Sequence, residues 1–277
     1  MPTRIRLLDH VVEIAPDLAR GDLLPLLYRH LLTQAAPDLH LAIERSSASL
    51  LAARLYGEGG LDLRRPVPPG GDPLAEAHRL LLESTLARTR EYLVLHAGAV
   101  ARGGRALLVL GESWAGKTTL VEALAGLGFA LLSDDYAPLR VSDLRVAPFP
   151  RALGRRAATR SPAAPPLRAR EWVDPQELAE LVTEPLPVGA IAVLAQPPPA
   201  APPAAFFPLT AAEALAHLRA ALRNPHPAQG IQVSGAAPPA PDELTARLAA
   251  LAGSVPCALL ARGGAAAMAR SAATLLP

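Results

Sequence analysis

The feature that most constrains the fold is a glycine-containing octapeptide that lies between an apolar run and an amphipathic segment. Residues 107–110 are Leu-Leu-Val-Leu, and residues 118–127 carry leucine and valine at helical spacing. The octapeptide between them fits G-x-x-x-x-G-K-[ST] and consists of Gly111, Glu112, Ser113, Trp114, Ala115, Gly116, Lys117 and Thr118. A buried strand, a tight loop and a helix in this order predict an α/β fold.

The residue types of the octapeptide suit the phosphates of a nucleotide. Glycines let backbone amides approach phosphate oxygens, and the start of a helix presents further amides and a positive dipole. We expect Gly111 to Thr119 to bind ATP, with Lys117 on the β- and γ-phosphates and the Thr118 hydroxyl on Mg²⁺. A bare motif of this kind also occurs by chance, but the flanking strand and helix favour nucleotide binding.

Lysine usage supports the same interpretation. The chain has 27 Lys and Arg residues together, and Lys117 is the only lysine among them. A bias toward arginine explains the rest of the surface but not the one lysine that remains. Arginine is a broad planar fork, whereas a phosphate-binding loop has room for a compact ammonium.

Two adjacent carboxylates follow the next apolar run, residues 129–132. Asp134 and Asp135 are expected at the carboxyl end of a strand that neighbours the strand before the octapeptide, where an α/β sheet places its ligand chemistry. One of them would hold Mg²⁺ and the other would accept a proton from an attacking hydroxyl. The alternative is a turn or a helix cap, where aspartate is common.

His96 lies in residues 92–100, which are predicted to form one strand paired with residues 105–110. Such pairing would bring the imidazole near the γ-phosphate, as a cation or as a proton partner of the carboxylates. A histidine on an apolar strand is also a common core residue, and spacing alone leaves both interpretations open.

Together, residues 95–100, 111–118 and 132–135 resemble the catalytic core of HPr kinase/phosphorylase and its shorter relatives. The resemblance implies a P-loop kinase core with a mixed sheet like that of phosphoenolpyruvate carboxykinase. It also implies that Asp135 is the general base, that Asp134 lies beside the metal, and that His96 contacts phosphate. The implied activity is transfer of the γ-phosphate of ATP to a serine-type hydroxyl on a protein, a peptide or a small molecule.

Two departures from that family keep other functions open. Trp114 stands where the family usually has glycine, and no acid in a matching motif supplies its second metal-binding glutamate. These differences motivate a nucleotide-binding regulator that transfers nothing. A P-loop NTPase switch is the third hypothesis, although the sequence has neither an N-K-x-D-like motif for guanine nor a D-x-x-G after the loop.

The rest of the chain predicts a small α+β region at residues 1–90 and a nucleotide-binding domain at 91–277. In the first region we expect a strand at 4–14, a helix at 16–32, strands at 39–43 and 61–65, and a helix at 74–88 capped by Asp72. In the second, strands are expected at 188–195, 205–209 and 256–261, helices at 211–223, 242–252 and 265–276, and a linker at 227–241.

Composition and charge limit the environment and the partners. The one cysteine, Cys257, excludes an internal disulfide and is expected to be buried, and no apolar run approaches the ~20 residues of a membrane span. We therefore expect a cytoplasmic protein with no membrane partner. The net charge of +2 gives no indication of nucleic acid. Oligomerisation stays open, and the arginine-rich residues 145–170 are either a solvated loop or a docking surface for an acidic acceptor, with Arg151 the first to test.

Overall fold

The computed structural model describes residues 2–19, 23–45, 50–156, 167, 170–195, 202–224 and 241–276. These residues form a mixed α/β protein that divides into two compact units. The first unit contains the described parts of residues 1–89 and 151–174. The second contains the described parts of residues 90–150, 175–228 and 237–277. Most of the predicted linker, residues 227–240, lies outside the described residues.

The first unit is built on a five-stranded sheet in the order β1-β2-β3-β4-β5, against which one long helix packs. Its elements are β1 (Thr3–Leu7), β2 (His10–Ile14), α1 (Pro16–Ala19), α2 (Leu23–Leu27), β3 (Leu39–Arg45), β4 (Leu51–Gly57), β5 (Leu61–Pro66), α3 (Pro73–Arg88), β11 (Leu153–Arg156) and β12 (Arg170–Val173). The long helix α3 begins as predicted, because the Asp72 carboxylate accepts from the Leu74 amide and proline occupies the first turn.

Two predictions for the first unit were wrong, and one strand was missed. The expected single strand at 4–14 is an antiparallel hairpin, with Leu8 in the left-handed region at its turn (φ 59°). The expected helix at 16–32 is two short helices and a 3₁₀ turn, since Pro25 lacks an amide donor. Strand β4 was missed, although it pairs with both β3 and β5.

The second unit is built on a six-stranded mixed sheet in the order β14-β15-β13-β8-β7-β9. Its elements are β6 (Tyr92–Leu95), β7 (Ala97–Arg102), β8 (Arg105–Gly111), α4 (Lys117–Ala125), β9 (Ala130–Ser133), β10 (Ala137–Arg140), β13 (Val188–Ala195), β14 (Phe206–Pro208), α5 (Ala211–Ala221), α6 (Pro241–Ser254), β15 (Cys257–Ala261) and α7 (Ala265–Ala273). Strands β8, β13 and β15 are parallel, and β7, β9 and β14 provide antiparallel pairs.

Helices cover both faces of this sheet. One face forms a core with α5 and α6 that includes Leu108, Leu110, Ile191, Val193, Ala214, Leu218, Leu244 and Leu248. Ala97 and Ala99 of β7 belong to that core, so Gly98 between them faces the other side, where it meets Val121 of α4. Helix α7 packs against α4 on that side. Strand β8 is therefore buried on both faces, as its continuous apolar run predicts.

Two predictions about the strands near the octapeptide need correction. The expected strand at 92–100 is interrupted at His96, because β6 pairs with β10 whereas β7 pairs with β8. Strand β9, which precedes Asp134, is not the direct neighbour of β8, since β7 lies between them.

Cys257 is buried as expected, and burial raises the pKa of its thiol. Among the described residues, no helix is both long and apolar enough to cross a membrane.

Candidate functional site

Three strands bring the candidate residues to one edge of the six-stranded sheet. Strands β8 and β9 both run antiparallel to β7, so their carboxyl ends lie at the edge where β7 begins. Gly111 ends β8, Ser133 ends β9, and His96 immediately precedes β7. The loop that starts at Gly111, the Asp134–Asp135 pair and His96 therefore meet, although β9 is one strand further away than the sequence predicted.

The loop at residues 111–118 has the backbone conformation that its glycines allow. Gly116 has φ 100° and is the N-cap of α4, and as a glycine it has no side chain with which to cap the helix. The first amides of α4 have no partner inside the helix, so they are available to an anion. Gly111 passes close to β13, because a Cβ at this position would lie 3.0 Å from the Leu194 carbonyl oxygen. A side chain at Gly111 would push the loop away from the sheet.

Lys117 points back into this loop and is only 6% exposed. Its Nζ donates to the carbonyl oxygens of Gly111 and Glu112, both at 3.0 Å, and to His96 Nε2 at 2.9 Å. Burial lowers the pKa of Lys117; the nearby Asp135 and Asp134 oppose this shift, and the Arg223 guanidinium adds to it. The ammonium is thus held beside the loop by three acceptors that phosphate oxygens would replace.

His96 connects the lysine to the second carboxylate. An ammonium has only donors, so His96 Nε2 must accept from Lys117, and the ring proton must lie on Nδ1. Nδ1 then donates to Asp135, with the backbone oxygen at 3.0 Å and Oδ1 at 3.1 Å. Nε2 lies 2.9 Å from the Lys117 ammonium, and that contact is a hydrogen bond only while Nε2 is the acceptor.

Thr118 and Asp134 form a second contact on the same edge. The Thr118 hydroxyl donates to the Asp134 carboxylate, at 2.9 Å from Oδ2 and 3.2 Å from Oδ1. Two adjacent oxygens of an octahedral Mg²⁺ shell, each about 2.1 Å from the metal, are about 3 Å apart. The 2.9 Å separation of Thr118 Oγ1 from Asp134 Oδ2 fits that geometry.

The described residues contain no cluster of three or more His, Cys, Asp or Glu side chains suited to a metal. A cation at this edge would therefore be held by Thr118 and Asp134, with phosphate oxygens and water completing its shell. Mg²⁺ is commonly bound in this way, by one or two protein oxygens together with substrate phosphates. The side chains present accordingly fit Mg²⁺ bound together with a nucleotide.

Asp135 and Trp114 both have left-handed backbone conformations, each with φ 73°. This conformation is uncommon for residues other than glycine, aspartate and asparagine, and it costs a residue such as tryptophan free energy. The Asp135 side chain is 44% exposed, so its carboxylate is accessible to a substrate. Trp114 is 66% exposed and has a backbone conformation that glycine adopts freely.

The other residues predicted to bind the nucleotide are not all on the inside of the site. Glu112, Ser113 and Thr119 are exposed, whereas Ala115 is buried against Gly111. Ser113 Oγ lies 3.4 Å from His96 Nε2, at the outer limit of a hydrogen bond. The octapeptide therefore contributes mainly through its backbone, Lys117 and Thr118.

The structure removes one arginine from the candidate site residues and adds another. Arg151, the first candidate for acceptor docking, is 5% exposed in the first unit, with its guanidinium 5.5 Å from the centre of the Tyr28 ring. A buried guanidinium does not offer an acceptor a docking surface. Arg223 was not predicted, yet its charge acts on Lys117. Only the packing of residues 221–224 against β6 reveals this proximity, and no local motif signals it.

No protein-family model matches the chain, and no curated protein matches it significantly.

Proposed function

We propose that the chain is an ATP- and Mg²⁺-dependent phosphotransferase that resembles HPr kinase/phosphorylase and acts on a serine-type hydroxyl. The observation that carries this proposal is the convergence of the chain's only lysine, a glycine loop and two carboxylates at one sheet edge. The proposal includes the finer fold assignment, in which the second unit is a P-loop kinase core whose mixed sheet is of the phosphoenolpyruvate carboxykinase type.

Binding of the phosphates is supported by the loop and by the start of α4. The first amides of α4 and the ammonium of Lys117 provide positive charge at the point where β8 ends. Phosphate oxygens would replace the carbonyls and the imidazole that Lys117 now contacts. Bound Mg²⁺, held by Thr118 and Asp134, would neutralise charge on the β- and γ-phosphates.

Transfer requires a base for the acceptor hydroxyl, and Asp135 suits this role. Its carboxylate is accessible, and the His96 Nδ1–H orients it at 3.1 Å. The hydroxyl proton passes to Asp135 while the hydroxyl oxygen forms a bond to the γ-phosphorus. The bond between that phosphorus and the bridging oxygen breaks, and ADP leaves with the electron pair.

The test of transfer uses purified protein, Mg·[γ-³²P]ATP and an array of serine- and threonine-containing peptides, with label on peptide and release of ADP measured together. We expect label and ADP in equal amounts with the wild type. Asp135→Asn should lose at least about 100-fold in transfer rate while it still binds Mg·ATP, because general bases contribute about 10²–10⁴-fold. An Asp135→Asn protein that labels peptides at the wild-type rate would refute the base assignment.

A second candidate is a nucleotide-binding regulator without transfer activity, and Trp114 favours it. Its bulky, exposed ring stands at the fourth position of the octapeptide, where the family that the sequence resembles usually has glycine. This candidate predicts calorimetric binding of Mg·ATP with no labelled product and no ADP. Release of ADP at the same rate with and without peptides would instead indicate an NTPase switch.

A further inference from the structure

The segment that follows α5 is attached along β6 and leads directly to the candidate site. Leu222 forms an antiparallel bridge with Leu95, and two backbone hydrogen bonds flank it. His96 N donates to the Ala221 oxygen at 2.7 Å, and Arg223 N donates to the Val94 oxygen at 2.8 Å. Residues 221–223 thus pair with the three residues that end at His96.

Asn224 holds this segment in register. Its side chain is buried, its Oδ1 accepts from the Val94 amide at 2.7 Å, and its Nδ2 donates to the Tyr92 oxygen at 2.8 Å. Because the side-chain amide of Asn224 bonds both a backbone donor and a backbone acceptor of β6, it fixes the position of residue 224 along that strand. The location of Arg223 relative to β6 is therefore determined by several bonds and not by one contact.

Alternation along this pairing puts Arg223 on the same face as His96. Leu222 and its partner Leu95 face the core. Because side chains alternate along paired strands, Arg223 lies opposite Val94 on the other face, and His96 is its diagonal neighbour. Diagonal neighbours have Cα atoms about 7–8 Å apart, which is within reach of an arginine side chain.

The charges at this edge indicate what Arg223 would bind. His96 Nε2 contacts the Lys117 ammonium, and the pairing puts Arg223 on the face of His96, so the two cationic residues reach the surroundings of His96 from two different elements. Two cations in one region repel each other. Arg223 is exposed whereas Lys117 is buried, so the guanidinium lies on the solvent side of the region. A multiply charged anion bound between them would relieve the repulsion.

We propose that Arg223 binds the terminal phosphate of a nucleoside triphosphate held by residues 111–118, an inference that rests on the function proposed above. The α- and β-phosphates would lie along the loop and the start of α4, and the terminal phosphate would lie nearest to Lys117, His96 and Arg223. Arginine suits this position because its planar fork bonds two phosphate oxygens at once. A nucleoside diphosphate lacks the group that Arg223 contacts.

The test compares two nucleotides on two variants by isothermal titration calorimetry. The nucleotides are Mg·AMP-PNP, an analogue whose terminal phosphate is not transferred, and Mg·ADP. The variant is Arg223→Gln, and the matched control is Arg219→Gln, which removes an exposed arginine from the last turn of α5. We expect Arg223→Gln to weaken AMP-PNP binding about 10-fold or more and to leave ADP binding within about 2-fold, and Arg219→Gln to change neither.

The outcomes separate this inference from the proposed function. A wild type that binds neither nucleotide overturns the proposed function itself. Wild-type AMP-PNP affinity in Arg223→Gln overturns only the role of Arg223. An equal loss for AMP-PNP and ADP, or the same loss in Arg219→Gln, also overturns it, because neither pattern depends on a contact to the terminal phosphate. Retained ADP binding in Arg223→Gln shows that the variant is folded.

Discussion

Trp114 offers a direct measurement of backbone strain in the loop. Its φ of 73° is one that glycine adopts freely and that other L-residues adopt at a cost. The perturbation is a pair of substitutions, Trp114→Ala and Trp114→Gly. Both remove the indole and its contacts, so the difference in stability between them isolates the backbone conformation.

The expected difference follows from two opposing terms. A residue with a Cβ pays about 1–2 kcal/mol in the left-handed region. Glycine pays about 0.5–1 kcal/mol more than alanine in lost backbone entropy on folding. Trp114→Gly should therefore be more stable than Trp114→Ala by about 0.5–1 kcal/mol, and its melting temperature should be about 1–4 °C higher.

Urea unfolding followed by circular dichroism gives the two free energies of unfolding. Ala123→Gly is the control, because Ala123 lies inside α4, where glycine should be less stable than alanine by up to about 1 kcal/mol. The sign of the alanine-to-glycine change should thus reverse between positions 114 and 123. A Trp114→Ala protein that is more stable than Trp114→Gly by about 0.5–1 kcal/mol, as expected at position 123, would show that the left-handed conformation is not strained.

Three further predictions concern the site and its support. Thr118→Ala should abolish the gain in ATP affinity that Mg²⁺ confers on the wild type, because it removes one of the two protein oxygens that would bind the metal. Calorimetry with and without EDTA measures the gain in affinity, and an unchanged gain would exclude Thr118 as a ligand. Burial lowers the pKa of Lys117, so the unfolded chain holds the ammonium proton more tightly than the folded chain does. The free energy of unfolding should therefore rise with pH between the lowered pKa and 10.5. The rise should be absent from Lys117→Met, and equal pH profiles of stability for the two proteins would contradict the shift. Gly98→Ala should destabilise by about 1–3 kcal/mol in urea unfolding, because its Cβ would lie 2.5 Å from Val121 Cγ2, and wild-type stability would show that α4 shifts freely.

The local part of the site could be predicted from the sequence because its residues are contiguous. The apolar run of β8, the glycine loop and α4 follow one another, so periodicity and residue chemistry describe all three. The N-cap of α3 and the buried strand β13 were predictable for the same reason. Each of these elements carries its signal within its own residues.

The parts that were missed depend on partners distant in sequence. Residues 92–100 form a continuous apolar pattern, and only the change of partner from β10 to β8 reveals a break at His96. The insertion of β7 between β8 and β9 is likewise a property of the sheet and not of any segment. Arg223 is positioned by the hydrogen bonds of the neighbouring Asn224 to β6, and no spacing rule in the sequence connects Arg223 to the octapeptide.

The burial of Lys117 also affects how the protein reacts with chemical reagents. Every other cationic side chain outside histidine is arginine, so the exterior carries no lysine amine for an acylating dye or a crosslinker. Acetylation of a lysine side chain would have one target, and it would neutralise the ammonium that the loop encloses. A ligand in the loop should protect the Lys117 amine from acetylation. Mass spectrometry of the acetylated protein would therefore report whether the loop is occupied, and the ligand would need no label.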